Sequence, residues 1–177
     1  MSDTSVGELP TTGAGRSGPV GWITSRPVFP GVRPIAMRIP AIQVDAEIER
    51  RPVIDGVMSD PTGPYVVAWY GVTSKLGTGG NVVIAGHVDF AGVGPAVFAR
   101  IGELAPGDLV EMTGENLKLY QYEVSWSKLF DSENAPITDL TSATDIESVT
   151  MITCGGSFDS SSGRYSHRLV VRAEKLI

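Results

Sequence analysis

The sequence predicts a mainly β protein: a closed or nearly closed mixed barrel of about seven or eight short strands, with a two-sheet sandwich as the second architecture. Three observations point there. Apolar runs are short and bounded by turn formers. Gly and Pro number 21 and 12 in 177 residues, which suits many turns rather than long helices. No stretch holds a helical period beyond a turn or two, and no internal repeat is present.

A chain of 177 residues is long enough for one domain with a continuous core. Residues 1–34 are rich in Gly, Ser, Thr and Pro, with Trp22, Ile23 and Phe29 scattered singly. They read as a largely irregular N-terminal extension or stalk, and residues 35–177 as the folded domain. Ile35–Ile39 and Ile42–Val44 are a strand and a short second strand, broken at Pro40. Ala46–Arg50 fits either a helical or a strand-like piece. Gly56–Pro64 is a turn region, Val66–Trp69 a strand and Gly71–Gly80 a glycine-rich loop. Asn81–Ala85 is a short apolar strand that runs into Gly86-His87.

Ala96–Ile101 predicts one or two helical turns with Val97, Phe98 and Ile101 inward. Leu109–Met112 and Leu117–Val124 form a hairpin around residues 113–116. In 117–124 neither alternate set is purely apolar, so inside and outside do not sort. Trp126–Phe130 has no clear period, and Ile137–Leu140 resembles a helical turn. Val149–Thr153 is a strand. In the last strand Leu169, Val171 and Ala173 share one face, the better core face, and Arg168, Val170 and Arg172 the other.

Fourteen basic and 20 acidic residues give a net charge of -6, with no block of like charge. A nucleic-acid partner, which calls for a basic stripe, is disfavoured. One cysteine excludes an internal disulfide. No apolar run reaches the ~18–20 residues of a spanning helix, and no signal segment opens the chain. If the natural protein is exported or anchored, that part is absent from this chain.

The lone Cys154 ends an apolar run and is followed by Gly155-Gly156, which remove side chains and leave room for a substrate backbone. Its competing reading is a buried, inert packing residue. Arg168 lies 14 positions on, across a Gly- and Ser-rich loop, as a plausible neighbour on the next strand. His87, after a strand and a glycine, has an imidazole suited to proton transfer near neutrality. His167 competes for that role, but alternation sends it and Arg168 to opposite faces. No paired metal-ligand spacing supports zinc or calcium, and no phosphate-cradling loop is present, so no metal or cofactor is expected.

NVVIAGHVD (81–89) and MITCGGSFDSSSGRYSHRLVVRA (151–173) resemble the catalytic segments of the sortase family, the cysteine transpeptidases of Gram-positive surfaces. The G-H-V-D, I-T-C-G-G-x-F-D and G-x-Y-x-x-R runs look most like the actinobacterial class F branch. RIPAIQVDAEI (38–48), VAWY (67–70) and AVFARIGELAPGDLVEM (96–112) extend the likeness in colinear order from Ile35 to Ile177. Two departures stand out. Met151 replaces the more usual Leu or Thr, and residues 50–64 differ from the usual version.

The resemblance implies a closed eight-stranded sortase-type β-barrel with short helices in the connections. It makes Cys154 the nucleophile, His87 the acid/base and Arg168 the group that orients substrate or stabilises the oxyanion. The reaction implied is cleavage of an LPxTG-like sorting signal of surface proteins between Thr and Gly. The acyl group then passes to an amine, such as a peptidoglycan cross-bridge or stem peptide. The setting implied is the extracellular face of the membrane and the cell wall, with the full-length protein membrane-anchored. The groove walls are expected from Val88–Val93, the Ser157–Ser166 loop and the Trp126–Pro136 connection. A hydrolytic cysteine peptidase and a non-enzymatic secreted β-barrel domain with a structural cysteine are the alternatives. Rapid labelling of Cys154 by a mild thiol reagent at neutral pH is the expected mark of an enzyme.

Overall fold

The computed structural model describes residues 30–177. The irregular extension expected over 1–34, with Trp22, Ile23 and Phe29, falls almost wholly outside the described residues. Eight strands close into a barrel: β1 (Pro34–Ile39), β2 (Val44–Arg51), β3 (Val67–Tyr70), β4 (Asn81–Ala85), β5 (Leu109–Gly114), β6 (Leu119–Asp131), β7 (Ser148–Asp159) and β8 (Arg164–Lys175). Around the barrel the order is β1-β2-β3-β4-β7-β8-β6-β5, with β5 paired back to β1. Two pairs are parallel, β2 with β3 and β4 with β7; the rest are antiparallel. One short helix, α1 (Ile137–Thr141), precedes β7.

Most strand expectations hold in place and type, with differences at their ends; the short strand expected over Ile42–Val44 does not, since only Val44 is strand. Ala46–Arg50 is strand, continuous with β2. Pro40–Ile42 is a single tight helical turn, ended by Gln43 in the left-handed region. Trp126–Phe130 belongs to β6, where a register shift between Val124 and Trp126 interrupts the alternation that the sequence fails to show. In 117–124 the inward set is Tyr120, Tyr122 and Val124. Tyr122 can be buried because its hydroxyl reaches Glu147 at 2.7 Å. The helical turns expected over Ala96–Ile101 are instead a turn followed by a short 3-10 segment at Ile101–Glu103. Phe98 and Ile101 still point inward, and Val97 is only half-buried.

The barrel interior is filled by one apolar cluster drawn from all eight strands, capped by Phe98, Ile101 and Leu104. A second cluster lies on the outer face under α1: Ala68, Tyr70, Val83, Leu140, Ile152 and Val170. β4 and the first half of β7 are therefore buried on both faces, which is why NVVIA and VTMIT read as continuous rather than alternating runs. Asn81, buried at the start of β4, resolves its polarity completely. Its Nδ2 donates to the carbonyls of Leu140 and Ser142 at 2.9 and 3.0 Å, and its Oδ1 accepts from Thr150 at 2.7 Å. Arg172 donates to Leu140 and Thr150, so β4, β7, β8 and α1 are stitched together.

Candidate functional site

Because β4 and β7 run parallel and adjacent, their C-terminal ends leave the barrel at the same end. Ile152 is paired with Ala85, so Cys154 and His87 each lie two residues beyond a common rung. On the other side of β7 the antiparallel register sets Cys154 opposite Arg168 of β8. Two pairings thus bring together one residue just past the end of β4 and two that face each other within β7 and β8. All three are half-buried, and all line one groove of about 470 Å³.

The residue before each reactive side chain fixes it. Thr153 donates its hydroxyl to the Gly86 carbonyl at 2.7 Å, and Gly86 N–H donates to the Ile152 carbonyl at 3.1 Å. Gly86 has no room for a side chain: a Cβ there would stand 2.5 Å from the buried Phe98 ring. Phe98 N–H in turn donates to the His87 carbonyl at 2.9 Å. The imidazole packs edge-on against Phe90, and its Nε2 is 3.0 Å from the Pro61 carbonyl. A carbonyl only accepts, so Nε2 carries the hydrogen and Nδ1 is the nitrogen left for proton exchange.

His167 occupies the face of β8 opposite Arg168, with Nδ1 2.7 Å from the Ser166 hydroxyl. It also explains the paired glycines. A Cβ on Gly156, which has φ +74°, would stand 2.4 Å from His167 Nδ1, and one on Gly155 would stand 2.9 Å from Leu129. The room left by Gly155-Gly156 is filled by the protein itself, not kept open for substrate. The glycines also lie where the β7–β8 register shifts, between Gly155 and Phe158.

Burial pushes the Cys154 thiol above its ordinary value of 9.0; Arg168 partly offsets this, while Asp60 and Asp89 add to it. Burial thus works against the thiolate that rapid labelling at neutral pH would require. Among the described residues Arg168 makes one hydrogen bond, from Nη1 to the His167 carbonyl at 3.2 Å, which leaves most of its donors for a ligand.

The groove walls differ from the expected set. The groove is lined by the segment that connects β2 to β3, through Gly56–Met58, Asp60 and Pro61, and by Ser132 and Ile137, with Tyr70, Ala85 and Ile152 from or beside the strands. Of the expected walls only the Trp126–Pro136 connection contributes, through Ser132. Asp60 and Pro61 were legible in sequence only as part of a turn region. Their one signal is the departure of residues 50–64 from the family pattern. Among the described residues no group of three or more His, Cys, Asp or Glu side chains is placed to hold a metal ion.

The fold is similar to several solved transpeptidase structures. Sortase A of Corynebacterium diphtheriae, as a lid mutant, aligns with a TM-score of 0.63 and 22% identity over 81% of this chain and 70% of that one. Sortase C-1 of Actinomyces oris aligns with a TM-score of 0.62 and 25% identity, covering 80% and 73%. The sortase D5 transpeptidase of Clostridium perfringens gives a TM-score of 0.60 and 23% identity, covering 83% and 79%. A search of curated proteins by sequence finds no significant match. The family model of the sortase domain matches residues 37–176, nearly the whole described chain. The barrel, its open end and this match lead to one conclusion: the chain belongs to the sortase family of cysteine transpeptidases.

Proposed function

We propose that Cys154, His87 and Arg168 are the catalytic residues of a sortase that acts on LPxTG-like sorting signals. The observation that carries this reading is the single groove lined by all three, built by two independent strand pairings. From the thiol form that burial favours, attack on the Thr carbonyl is coupled to transfer of the S–H proton to His87 Nδ1. The C–S bond forms, the Thr–Gly C–N bond breaks, and His87 passes the proton to the departing amine. The thioester is then resolved by an amine acceptor, which re-forms an amide. Arg168 donates from its guanidinium to the carbonyl oxygen in both steps.

Sortases act at the cell surface of Gram-positive bacteria, and we assign this chain the same setting: the extracellular face of the membrane, with the cell wall supplying the acceptor. No helix among the described residues is long and apolar enough to cross a membrane, so a membrane tether on this reading lies elsewhere in the full-length protein. The motifs around His87 and Cys154 favour the class F branch.

The test is intact-mass measurement after incubation with an LPxTG-type peptide. The expected result is an acyl adduct that maps to Cys154, converted to a ligated peptide on addition of triglycine. Cleavage without ligation supports a hydrolytic peptidase instead, and absence of any adduct or cleavage defeats the reading.

A further inference from the structure

We propose that Asp60 recruits the acyl acceptor by binding the incoming amine in its ammonium form beside the thioester. The inference rests on the transpeptidase reading above. Asp60 lines the groove with Cys154, His87 and Arg168. The segment Asp60–Thr62 is held at each of its three residues. Arg51 Nε donates to the Asp60 carbonyl at 2.9 Å, His87 Nε2 engages the Pro61 carbonyl at 3.0 Å, and Glu49 accepts from Thr62 N–H and Oγ1 at 2.6 and 2.9 Å. The Asp60 carboxylate, by contrast, accepts no hydrogen bond and joins no ion pair among the described residues. A fixed main chain that carries a free carboxylate is a preorganised seat for a cation.

The first half-reaction gives that carboxylate no use. A negative charge near the sulfur opposes formation of the thiolate, and it opposes the oxyanion that follows. Its benefit falls to the second half-reaction, in which the reactant arrives as a cation. An amine in water at neutral pH is largely ammonium and must shed a proton before it can attack. Bound at Asp60, one residue from the carbonyl that anchors the imidazole, the ammonium gives one proton to His87. The freed lone pair forms the new C–N bond and the C–S bond breaks. Sulfur leaves as thiolate and takes the second proton shed by nitrogen, which restores the thiol, and His87 releases its proton to solvent. Seating the amine this way also gives it an advantage over water, which a transpeptidase requires.

The experiment starts from the acyl-enzyme formed with an LPxTG-type peptide. It compares two acceptors, glycinamide, which is ammonium near neutrality, and hydroxylamine, which is uncharged there. For Asp60→Asn the KM of glycinamide should rise about fivefold, the scale of one exposed ion pair. The KM of hydroxylamine should stay put, and acylation should become somewhat faster. Asp60→Glu should restore part of the glycinamide KM, and added salt should raise that KM only in the proteins that keep a carboxylate. Equal shifts for both acceptors overturn the proposal. So does a shift confined to the peptide's KM, which would make Asp60 a reader of the sorting signal. Failure of the wild type to form any acyl-enzyme is a separate outcome that removes the transpeptidase reading, and this inference with it.

Discussion

The two ends of the barrel are built on opposite rules. At the closed end Glu147, just before β7, accepts from Gly77 N–H, Gly79 N–H, the Tyr122 hydroxyl and Lys175 Nζ at 2.9, 3.3, 2.7 and 2.9 Å. Seven residues further along the chain, about 23 Å away, Cys154 makes no hydrogen bond among the described residues. There Arg168 and His87 make one side-chain hydrogen bond each among the described residues, both with main-chain carbonyls. Among the described residues no buried side-chain nitrogen or oxygen lacks a partner. The difference teaches where each kind of free energy is used. Saturated polar groups lock the strands at one end, so that the unsaturated groups at the other can be held rigidly yet remain available.

Substitutions at the two ends should therefore fail in different ways. The largest effect expected is at the open end: Cys154→Ala should abolish acyl transfer, and His87→Ala should come close, while both keep the wild-type Tm. A large fall in Tm in either protein would break the contrast. Arg168→Ala should lower kcat by about 10²–10³ with little change in stability, read by steady-state kinetics beside thermal melting. Full activity in that protein removes the oxyanion role.

At the closed end the expected loss is in stability. Burial alone would raise the Glu147 pKa, but the bonds from Gly77, Tyr122 and Lys175 outweigh it and hold the carboxyl below its ordinary value. Glu147→Ala should cost about 1–3 kcal/mol, the scale for leaving the buried Tyr122 hydroxyl without its partner, since Lys175 keeps access to water. A folded-state pKa below the unfolded one gives stability that is present above the unfolded value and lost as pH falls through the folded one. The gap between wild type and Glu147→Gln in chemical denaturation should thus be full near neutrality and shrink in acid. A gap independent of pH would show that the carboxylate is not the source.

The smallest effect sharpens the electrostatics of the open end. Alkylation of Cys154 should be slow at neutral pH and rise through the alkaline range, with its inflection above 9.0. Arg168→Ala should move that inflection higher and Asp60→Asn lower. An inflection near neutrality would mean a stabilised thiolate.

Much of the molecule was legible in residue order because its signals are local. The apolar runs, the turn formers between them, and the alternation that separates His167 from Arg168 all act over a few residues. The three proposed catalytic positions were found through motifs that span single strand ends. What escaped was non-local. Gly155 and Gly156 look like open space in sequence, yet Leu129 and His167 occupy that space, as Phe98 does at Gly86. The groove wall at Asp60 and Pro61 was invisible because a turn segment carries no sign of which strand ends it will fold over.

By itself the sequence determined a β-rich chain whose short strands are buried on one or both faces, together with the identities of a thiol, an imidazole and a guanidinium on or just past three strands. Only the tertiary structure decided that those three positions coincide. Parallel pairing of β4 with β7, antiparallel pairing of β7 with β8, and closure of the barrel are long-range choices, set by where all the apolar faces can be buried at once.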